Sequence, residues 1–395
     1  MAILAVNAGS STLKFALYPL QGNRVLPCVL SGNIQGLEPG GRPEMSWREG
    51  TGATQTQHLP VADDPFTHAL HALRQRLATG ALHRSIVAVA HRVVHGGARY
   101  RASVIVTPTV LAELAALAPL APLHQPHNLA GIRAFQQAFP AAAQVACLDT
   151  AFHATLPDVE TAFALPQALA EQGVRRYGFH GLSYQYITGV LQQHSERAHG
   201  RVLMAHLGNG ASLCATREGK SCATTMGFSA LDGLMMGTRT GTLDPGVLLY
   251  LLEQGWDHQR LQALLYKQSG LLGVSGISAD MRRLRADGSA DAQKAVALFT
   301  RRVVRESGAM VACLGGLDVL AFSGGIGEHD ARLRADVCAS LAFLGVQIDP
   351  VCNQAAVGSE TRAVHAPSSV VEVWVVPTDE GLVAAREALQ LLGMV

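Results

Sequence analysis

The sequence has no excess of charge of either sign, and little charge altogether. It contains 31 Lys and Arg residues against 30 Asp and Glu residues, for a formal net charge of +1 at pH 7, and only 15% of its residues are charged. Such a balance gives no electrostatic reason to bind nucleic acid or an anionic membrane surface, so neither is expected as a partner. Lysine is especially scarce, and Lys14 is the only lysine before residue 220.

Long apolar runs and paired cysteines are also missing. No apolar run approaches the roughly 18 residues of a membrane span. The N-terminal run stops at Asn7 and has no basic region before it, which is untypical of a signal peptide. The seven cysteines are odd in number and form no CxxC pair, so they indicate buried thiols in a reducing compartment, not a disulfide framework or a zinc site. We therefore expect a cytoplasmic globular enzyme.

Several familiar nucleotide-binding signatures are absent. Gly219-Lys220-Ser221 resembles the end of a P-loop, but the glycine needed five residues earlier is Cys214. There is no GxGxxG dinucleotide fingerprint, and no protein-kinase HRD or DFG set. The sequence therefore lacks the motifs typical of a Walker-type ATPase, a Rossmann dehydrogenase and a protein kinase.

The chain does contain enough apolar residues for large cores, with 48% hydrophobic residues over 395 positions. This length predicts two or three domains. Apolar strands alternate with helical stretches, which indicates an α/β architecture, and residues 21–60 are expected to add short strands. The predicted strands cover 86–90, 144–148, 319–322 and 370–376. The predicted helices cover 65–79, 108–118, 127–138, 166–172, 182–193, 243–266, 289–314 and about 381–392. The Gly- and hydroxyl-rich runs 233–246 and 270–278 are predicted to be ligand-contacting loops.

Residues 2–18 predict a strand, a tight polar turn and a second strand. An apolar run enters the turn Asn7 to Thr12, and an apolar run that includes Lys14 leaves it. Backbone N–H groups, hydroxyls and the nearby ammonium are suited to holding a phosphate. Taken alone, the motif fits somewhat better an ordinary hairpin whose serines bond their own backbone.

The same pattern returns at 202–216, where an apolar strand enters the turn Gly208 to Ser212 and an apolar strand leaves it. One such hairpin in each half predicts a duplicated domain. We expect a second domain to start near residue 150.

A set of charged groups lies at strand ends or in Gly-rich turns. Each member has an ordinary alternative: Arg92 can be a structural ion-pair partner, Asp149 a helix N-cap and His180 a core histidine. Together they offer cations that could neutralise phosphoryl oxygens, and carboxylates that could hold Mg²⁺ or orient a nucleophile. Phosphoryl transfer needs this mixture. The set comprises Asn7, Lys14, Arg92, Asp149, His180, Arg239, Asp280, Arg282 and Glu380.

Nine segments, in order and spread over residues 7–381, resemble the acetate kinase family of short-chain acyl kinases. They are NAGSSTLKF, HRVVHGG, DTAFHATLP, RYGFHGLS, HLGNGAS, MGFSALDGLMMGTRTG, GLLGVSGIS, FSGGIGEH and PTDEG. The resemblance implies the fold of acetate kinase, sugar kinases, Hsp70 and actin: two related α/β domains with an interdomain ATP cleft. It implies a first domain over 1–150, completed by a C-terminal helix at about 381–395, and a second, nucleotide-binding domain over 151–380. It further implies a homodimer, and reversible, Mg²⁺-dependent transfer of the ATP γ-phosphoryl group to acetate, giving acetyl phosphate and ADP. Mn²⁺ is the alternative metal.

The resemblance also assigns roles to individual residues. Asp149, His180 and Arg239 match the catalytic residues, and Asn7 and Glu380 match the metal site. Acyl-substrate positions are Arg92, Val94, Leu123, Phe179 and Ala230. Nucleotide-binding positions are Lys14, His206, Leu207, Gly208, Asn209, Gly210, Asp280, Met281, Arg282, Gly325, Ile326, Gly327, Glu328 and His329.

Two positions depart from the family pattern. Ala230 stands where the family usually has a proline in the acyl pocket, which leaves propionate or broad short-chain acyl kinase as the alternative activity. His329 stands where the family often has asparagine, which bears on nucleotide preference. An alternative of another class, a non-catalytic ATP-binding module of the actin or Hsp70 type, would have no need for Arg92, Asp149, His180 and Arg239 together.

Overall fold

The computed structural model describes residues 1–38, 40–78, 84–122 and 124–393 of the chain. These residues form two compact units: Met1–Ala151 with Asp379–Val395, and Phe152–Thr378. Glu380 belongs to the first unit. The domain boundary predicted from the sequence, after residue 380, placed it in the second domain. Within the described residues, no helix has the length and apolar character needed to cross a membrane.

The chain forms strands and helices throughout both units. The strands are Ala2–Ala8 (β1), Thr12–Gln21 (β2), Arg24–Val25 (β3), Leu30–Gln35 (β4), Glu44–Glu49 (β5), Gln55–His58 (β6), Ile86–Val93 (β7), Val104–Ile105 (β8), Ala143–Leu148 (β9), Arg201–Leu207 (β10), Ala211–Arg217 (β11), Lys220–Thr224 (β12), Val319–Ser323 (β13), Arg362–Ala363 (β14) and Glu372–Val375 (β15). The α-helices are Pro65–Leu77 (α1), Pro108–Ala116 (α2), Gln125–Ala138 (α3), Asp158–Thr161 (α4), Gln167–Glu171 (α5), Gly181–His194 (α6), Pro245–Glu253 (α7), His258–Lys267 (α8), Gly270–Ser275 (α9), Met281–Asp287 (α10), Ala290–Leu314 (α11), Gly324–His329 (α12), Ala331–Ser340 (α13), Pro350–Ala355 (α14) and Glu380–Leu391 (α15).

The two units have the same strand order at the centre of their sheets. In the first, β4-β2-β1-β7-β9 runs as two antiparallel pairings followed by two parallel pairings. In the second, β12-β11-β10-β13-β15 repeats that arrangement. The α/β prediction is confirmed, and the two similar hairpins of the sequence, β1–β2 and β10–β11, occupy equivalent places in the two sheets.

Burial explains why the central strands are so apolar. Ile3, Leu4 and Val6 of β1 are all buried, because the strand is covered on both faces of its sheet. One face packs in a core with Leu73 of α1 and Phe135 of α3. Because β1, β7 and β9 are parallel, their carboxyl ends meet at one edge of the first sheet. Ligands bind at this edge in open α/β sheets.

Three sequence expectations are wrong in detail. The single helix predicted over 243–266 is two helices, α7 and α8, because Gly255 adopts φ +80° and Asp257 caps a new helix with its carboxylate on the Arg260 N–H. The predicted loop 270–278 contains the short helix α9, which ends at Gly276 with φ +66°. The segment 325–329, expected as a nucleotide-binding loop, belongs to α12.

The cysteines are not all buried. Cys147, Cys214 and Cys338 are buried free thiols, Cys28 and Cys222 are partly exposed, and Cys313 and Cys352 are exposed. Burial raises the pKa of Cys214 to about 12, so this thiol stays protonated.

Candidate functional site

Arg92 joins two carboxylates in the first unit. It precedes the last residue of β7, while Asp149 follows β9 and Glu380 begins α15. Arg92 donates from Nε to Asp149 Oδ1 at 2.9 Å and from Nη2 to Asp149 Oδ2 at 2.6 Å, a bidentate pair. Its Nε also lies 3.5 Å from Glu380 Oε2. The Asp149 side chain is 2% exposed, and those of Arg92 and Glu380 remain about a quarter exposed, at 23% and 24%.

The two carboxylates keep the Arg92 guanidinium charged. Burial alone would lower the pKa of the Arg92 guanidinium, but the Asp149 carboxylate, and secondarily Glu380, outweigh it and raise that pKa above its usual value. Arg92 is therefore permanently cationic. A guanidinium fork that leaves part of its surface exposed is also suited to a further carboxylate or phosphate.

Oxygen donors suitable for a hard cation lie at the same edge. Asn7 is on β1, next to β7, and Asp149 and Glu380 both contact Arg92. The described residues hold no group of three or more His, Cys, Asp or Glu side chains that could bind a metal. Two carboxylates and an amide are nevertheless what Mg²⁺ requires when phosphate oxygens and water complete its shell, so the residues present fit that metal.

The N-terminal turn connects β1 to β2. Gly9 N–H donates to the Thr12 carbonyl at 2.8 Å, and Ser10 is exposed at the tip. Lys14 is exposed, and in the strand register it lies opposite Asn7 on β1 and opposite Asn33 on β4. The cation and the proposed metal-binding amide are therefore neighbours on the sheet.

An asparagine that sequence reasoning missed holds the segment around Val94 in place. Asn128 of α3 accepts a hydrogen bond from the Val94 N–H at 3.1 Å and donates to the Ala8 carbonyl at 2.8 Å. It thereby ties the end of β1 to the segment after β7. Nothing in its sequence context marks it, because its two partners are far away along the chain. Leu123, which is also predicted to contact the acyl substrate, lies outside the described residues.

In the second unit, His180 is fixed by its backbone conformation and by contacts of its ring. Its backbone is left-handed, with φ 59° and ψ 24°, a conformation that non-glycine residues rarely adopt. Its Nδ1 lies 2.9 Å from Ser212 Oγ, and its ring stacks on His206 with centroids 4.4 Å apart. Ser212 Oγ is in turn 2.5 Å from the hydroxyl of the fully buried Tyr184. Neither Ser212 nor Tyr184 was singled out from the sequence.

Arg239 and His180 converge on Gly210. A Cβ built on Gly210 would lie 2.8 Å from Arg239 Nη2 and 3.2 Å from His180 Nε2, so both nitrogens face this glycine. The turn around it is tight, with the Gly208 N–H donating to the Gly210 carbonyl at 3.0 Å. Arg239 also donates from Nη1 to the Ala230 carbonyl at 2.7 Å. The Arg239 guanidinium, together with His180 when its Nε2 is protonated, can bind an anion at this glycine-rich turn.

The other predicted nucleotide-site residues are placed in three ways. Gly325 and His329 are exposed at the two ends of α12. Asp280 caps α10 through the Arg282 N–H at 2.8 Å and pairs with the Arg282 guanidinium at 2.7 Å. Glu328 accepts from the N–H groups of Gly324 at 2.9 Å and Thr378 at 3.2 Å, so its carboxylate already supports the backbone at the end of β13.

The remaining positions are also in the second unit. Phe179 is buried, and its carbonyl accepts a 2.9 Å hydrogen bond from His153 Nε2. Ala230 is partly exposed in the loop after β12. The predicted set thus falls into two groups. The first unit holds Asn7, Lys14, Arg92, Val94, Asp149 and Glu380, and the second holds Phe179, His180, His206, Leu207, Gly208, Asn209, Gly210, Ala230, Arg239, Asp280, Met281, Arg282, Gly325, Ile326, Gly327, Glu328 and His329.

Comparison with known proteins gives full-length matches. The model of the acetokinase family matches residues 2–386. An acetate kinase of Rhodopseudomonas palustris is 49% identical over 393 residues, covering 98% of each chain. Among solved structures, the acetate kinase of Porphyromonas gingivalis is 35% identical with a TM-score of 0.88 over 99% of each chain. A propionate kinase of Francisella tularensis is 34% identical with a TM-score of 0.90 over 98% of each chain.

Proposed function

The chain belongs to the acetokinase family, and we propose on this basis that it is an acetate kinase, which transfers the γ-phosphoryl group of ATP reversibly to acetate. A carboxylate oxygen of acetate forms a bond to the γ-phosphorus, and the bond between that phosphorus and the oxygen bridging to the β-phosphate breaks. The products are acetyl phosphate and ADP. No proton has to be removed from the nucleophile, because a carboxylic acid with a pKa near 4 is ionised at neutral pH.

The arrangement of Arg92 is the geometric observation that best supports this activity. Its guanidinium is permanently charged, is held in place by Asp149 and Glu380, and remains partly exposed. Bringing one anion up to a polyanion is the main barrier of the reaction, and a positioned guanidinium lowers it. Arg92 would hold the acetate carboxylate, with Val94, Phe179 and Ala230 around its methyl group. Asp149 would keep the fork of Arg92 oriented.

The second group of residues would act on the phosphoryl group. His180 Nε2 and Arg239 Nη2 both face Gly210, and they would donate to the equatorial oxygens of the group in transfer. The turn 206–210 and Lys14 would contact the phosphate chain. The segments 280–282 and 325–329 would contact the rest of the nucleotide.

Asn7 and Glu380 would hold Mg²⁺, with Mn²⁺ as the alternative ion. When bound, the metal would neutralise charge on the phosphate oxygens. The chain's own contribution there is to fix the donors: Asn7 by its place on β1, and Glu380 by its position at the start of α15 beside Arg92.

The activity is tested by measuring ADP formation from ATP with and without acetate. Turnover that depends on acetate, and formation of acetyl phosphate trapped as a hydroxamate, are expected. Turnover that ignores acetate would contradict the proposal and favour the non-catalytic ATP-binding module.

A second candidate substrate is propionate. Ala230 is smaller than the proline usual in the family, and one of the similar solved structures is a propionate kinase. Since one methylene in an apolar pocket is worth about 1–3 kcal/mol, the substitution tunes specificity without changing the reaction. Side-by-side kcat/KM values decide between the two. A tenfold preference for propionate would overturn the assignment to acetate.

We also propose a homodimer in the cytoplasm. Helix α7 has no buried residue although its sequence is strongly apolar, with Leu249, Tyr250 and Leu252 at 62%, 59% and 49% exposure. A second copy of the chain would cover such a face. Sedimentation velocity should show a dimer that Leu249→Glu weakens, and a wild-type monomer would contradict this.

The free thiols of the described cysteines agree with a reducing compartment, as proposed for a cytoplasmic protein.

A further inference from the structure

The hydroxyl groups behind His180 form a short hydrogen-bonded chain. It runs from the Tyr184 hydroxyl to Ser212 Oγ at 2.5 Å and from Ser212 Oγ to His180 Nδ1 at 2.9 Å. Tyr184 and Ser212 are both fully buried, so water does not compete for these bonds. The polarity of such a chain is fixed by counting protons, because each hydroxyl has only one to donate.

The chain begins at Tyr184. Burial, and secondarily the neighbouring Cys214, raise the pKa of Tyr184 well above its usual value, so the phenol keeps its proton. Within the described residues, Ser212 Oγ is the only acceptor at hydrogen-bond distance from that hydroxyl. A buried donor without an acceptor is costly, so Tyr184 donates to Ser212.

The direction of the second bond follows from the first. Ser212 accepts from Tyr184 and has its own proton left to donate. Its only other partner in the described residues is His180 Nδ1, which must therefore be an unprotonated, accepting nitrogen. In a neutral imidazole the proton then lies on Nε2, the nitrogen that faces Gly210 and lies beside Arg239 Nη2.

We propose that Ser212 and Tyr184 are positioning residues that hold His180 in the tautomer with its proton on Nε2, so that an N–H faces the glycine turn. This inference rests on the proposed function, in which that N–H donates to the phosphoryl group in transfer. The opposite tautomer would present a lone pair to the phosphoryl oxygens and repel them. The left-handed backbone of His180 and its stacking on His206 fix the plane of the ring, and the hydroxyl chain fixes which nitrogen carries the proton.

Strand register brings Ser212 to this position. Ser212 lies on β11 directly opposite His206 of β10, whose ring stacks on His180. His206 has a separate hydroxyl partner, with Nδ1 2.8 Å from Ser183 Oγ. Each of the two stacked imidazoles is therefore oriented by its own serine.

The test uses the full-length protein with ¹⁵N-labelled histidine and long-range ¹H–¹⁵N spectra at neutral pH. The signals of His180 are assigned by comparison with His180→Gln. We expect a protonated Nε2 and an accepting Nδ1 in the wild type, and a mixture of tautomers in Tyr184→Phe and Ser212→Ala. A protonated Nδ1 in the wild type, or unchanged spectra in both variants, would overturn the proposal.

Kinetics provide an independent measurement on the same variants. Tyr184→Phe and Ser212→Ala should lower kcat roughly tenfold to a hundredfold, with smaller changes in KM, because the misplaced donor matters most in the transition state. Matched controls are Tyr177→Phe and Ser307→Ala, which remove hydroxyls of buried residues in the same unit. The Tyr177 hydroxyl donates to the Gly173 carbonyl and not to Ser212. Ser212→Thr, which restores the hydroxyl, should recover both the spectrum and part of kcat.

The two proposals fail in different ways. A tautomer change without any loss of kcat would uphold the positioning by Ser212 and Tyr184, and would remove His180 from the proposed reaction. If Ser212→Ala fails to fold, Tyr184→Phe carries the test alone, since it keeps the aromatic ring in its core position.

Discussion

Arg239 donates a 2.7 Å hydrogen bond from Nη1 to the main-chain carbonyl of Ala230. The bond connects a residue of the proposed acyl pocket to a residue proposed to stabilise the transferred phosphoryl group. It uses the backbone of residue 230 and not its side chain. A change of side chain at 230 can therefore alter substrate size selection while the arginine keeps its acceptor.

Ala230→Pro should sharpen the preference for acetate. The carbonyl that holds Arg239 stays, and within the described residues the Ala230 N–H donates no hydrogen bond that a proline would remove. The added ring reduces the space near the acyl chain. The ratio of kcat/KM for acetate over propionate should rise by up to about tenfold. An unchanged ratio would show that residue 230 does not set the pocket size.

Arg239→Ala should lower kcat by roughly 10³-fold or more, the scale for arginines that stabilise phosphoryl transfer. The exposed Arg197→Ala, in the same unit, serves as the matched control and should leave kcat unchanged. Steady-state kinetics with saturating ATP and acetate measure the effect. A purified Arg239→Ala enzyme with near-normal turnover would disprove the role of this residue.

Gly210→Ala should disable the enzyme without unfolding it. The new Cβ would stand 2.8 Å from Arg239 Nη2 and 3.2 Å from His180 Nε2, and both donors would have to move. Misplacement on this scale costs about 10²-fold in kcat. Gly189→Ala on α6 is the control, because its Cβ would meet no atom within 4 Å. Equal kcat in the two variants would argue against a donor pair at Gly210.

Glu380→Gln should raise the Mg²⁺ concentration needed for half-maximal activity roughly tenfold or more. The change removes a charge from the proposed metal site and leaves an amide of the same shape. Binding of Mn²⁺ followed by electron paramagnetic resonance gives a second readout, independent of turnover. Glu387→Gln, two turns further along α15, is the control. The prediction fails if the metal affinities of the two variants agree.

Acidification should destabilise the first unit through His91. Burial, partly offset by the hydrogen bond to Gln144, lowers the pKa of His91 to about 4 from an unfolded value near 6.5. The unfolded state therefore binds more protons between these pH values. The stabilisation is complete above pH 6.5 and is lost as the pH falls towards 4, by up to about 3 kcal/mol.

Urea unfolding of the wild type and of His91→Gln between pH 4.5 and 7 measures this contribution. The variant should have a shallower decline of the free energy of unfolding with falling pH, even if it is less stable throughout. His258→Gln, at an exposed position of α8, should follow the wild-type slope. Parallel slopes for all three proteins would rule out His91 as a source of the pH dependence.

Local signals in the sequence were sufficient for many of the elements. Pro65 and Pro108 begin α1 and α2, Ser289 caps α11, and Gly315 ends it with φ +70°. The prediction of one helix over 243–266 is wrong because the helical pattern of apolar residues continues across Gly255. Only the structure shows the left-handed backbone of Gly255, at which the first helix ends. The short helices α9 and α12 were not predicted, because each is only six residues long and contains several glycines, which are typical of loops.

The sequence by itself determined the α/β class, the two hairpins and membership of the acetokinase family, because these depend on residue order along the chain. Only the tertiary structure decided which groups meet. Arg92 contacts Glu380 and Asn128 contacts Ala8 because α15 and α3 pack against the first sheet. Ser212 contacts His180 through the register of β10 and β11. A slip of one residue between β10 and β11 would turn Ser212 to the opposite face of its sheet. His180 could be predicted from the sequence. The hydrogen-bonded hydroxyls of Ser212 and Tyr184, which decide which of its nitrogens carries the proton, could not.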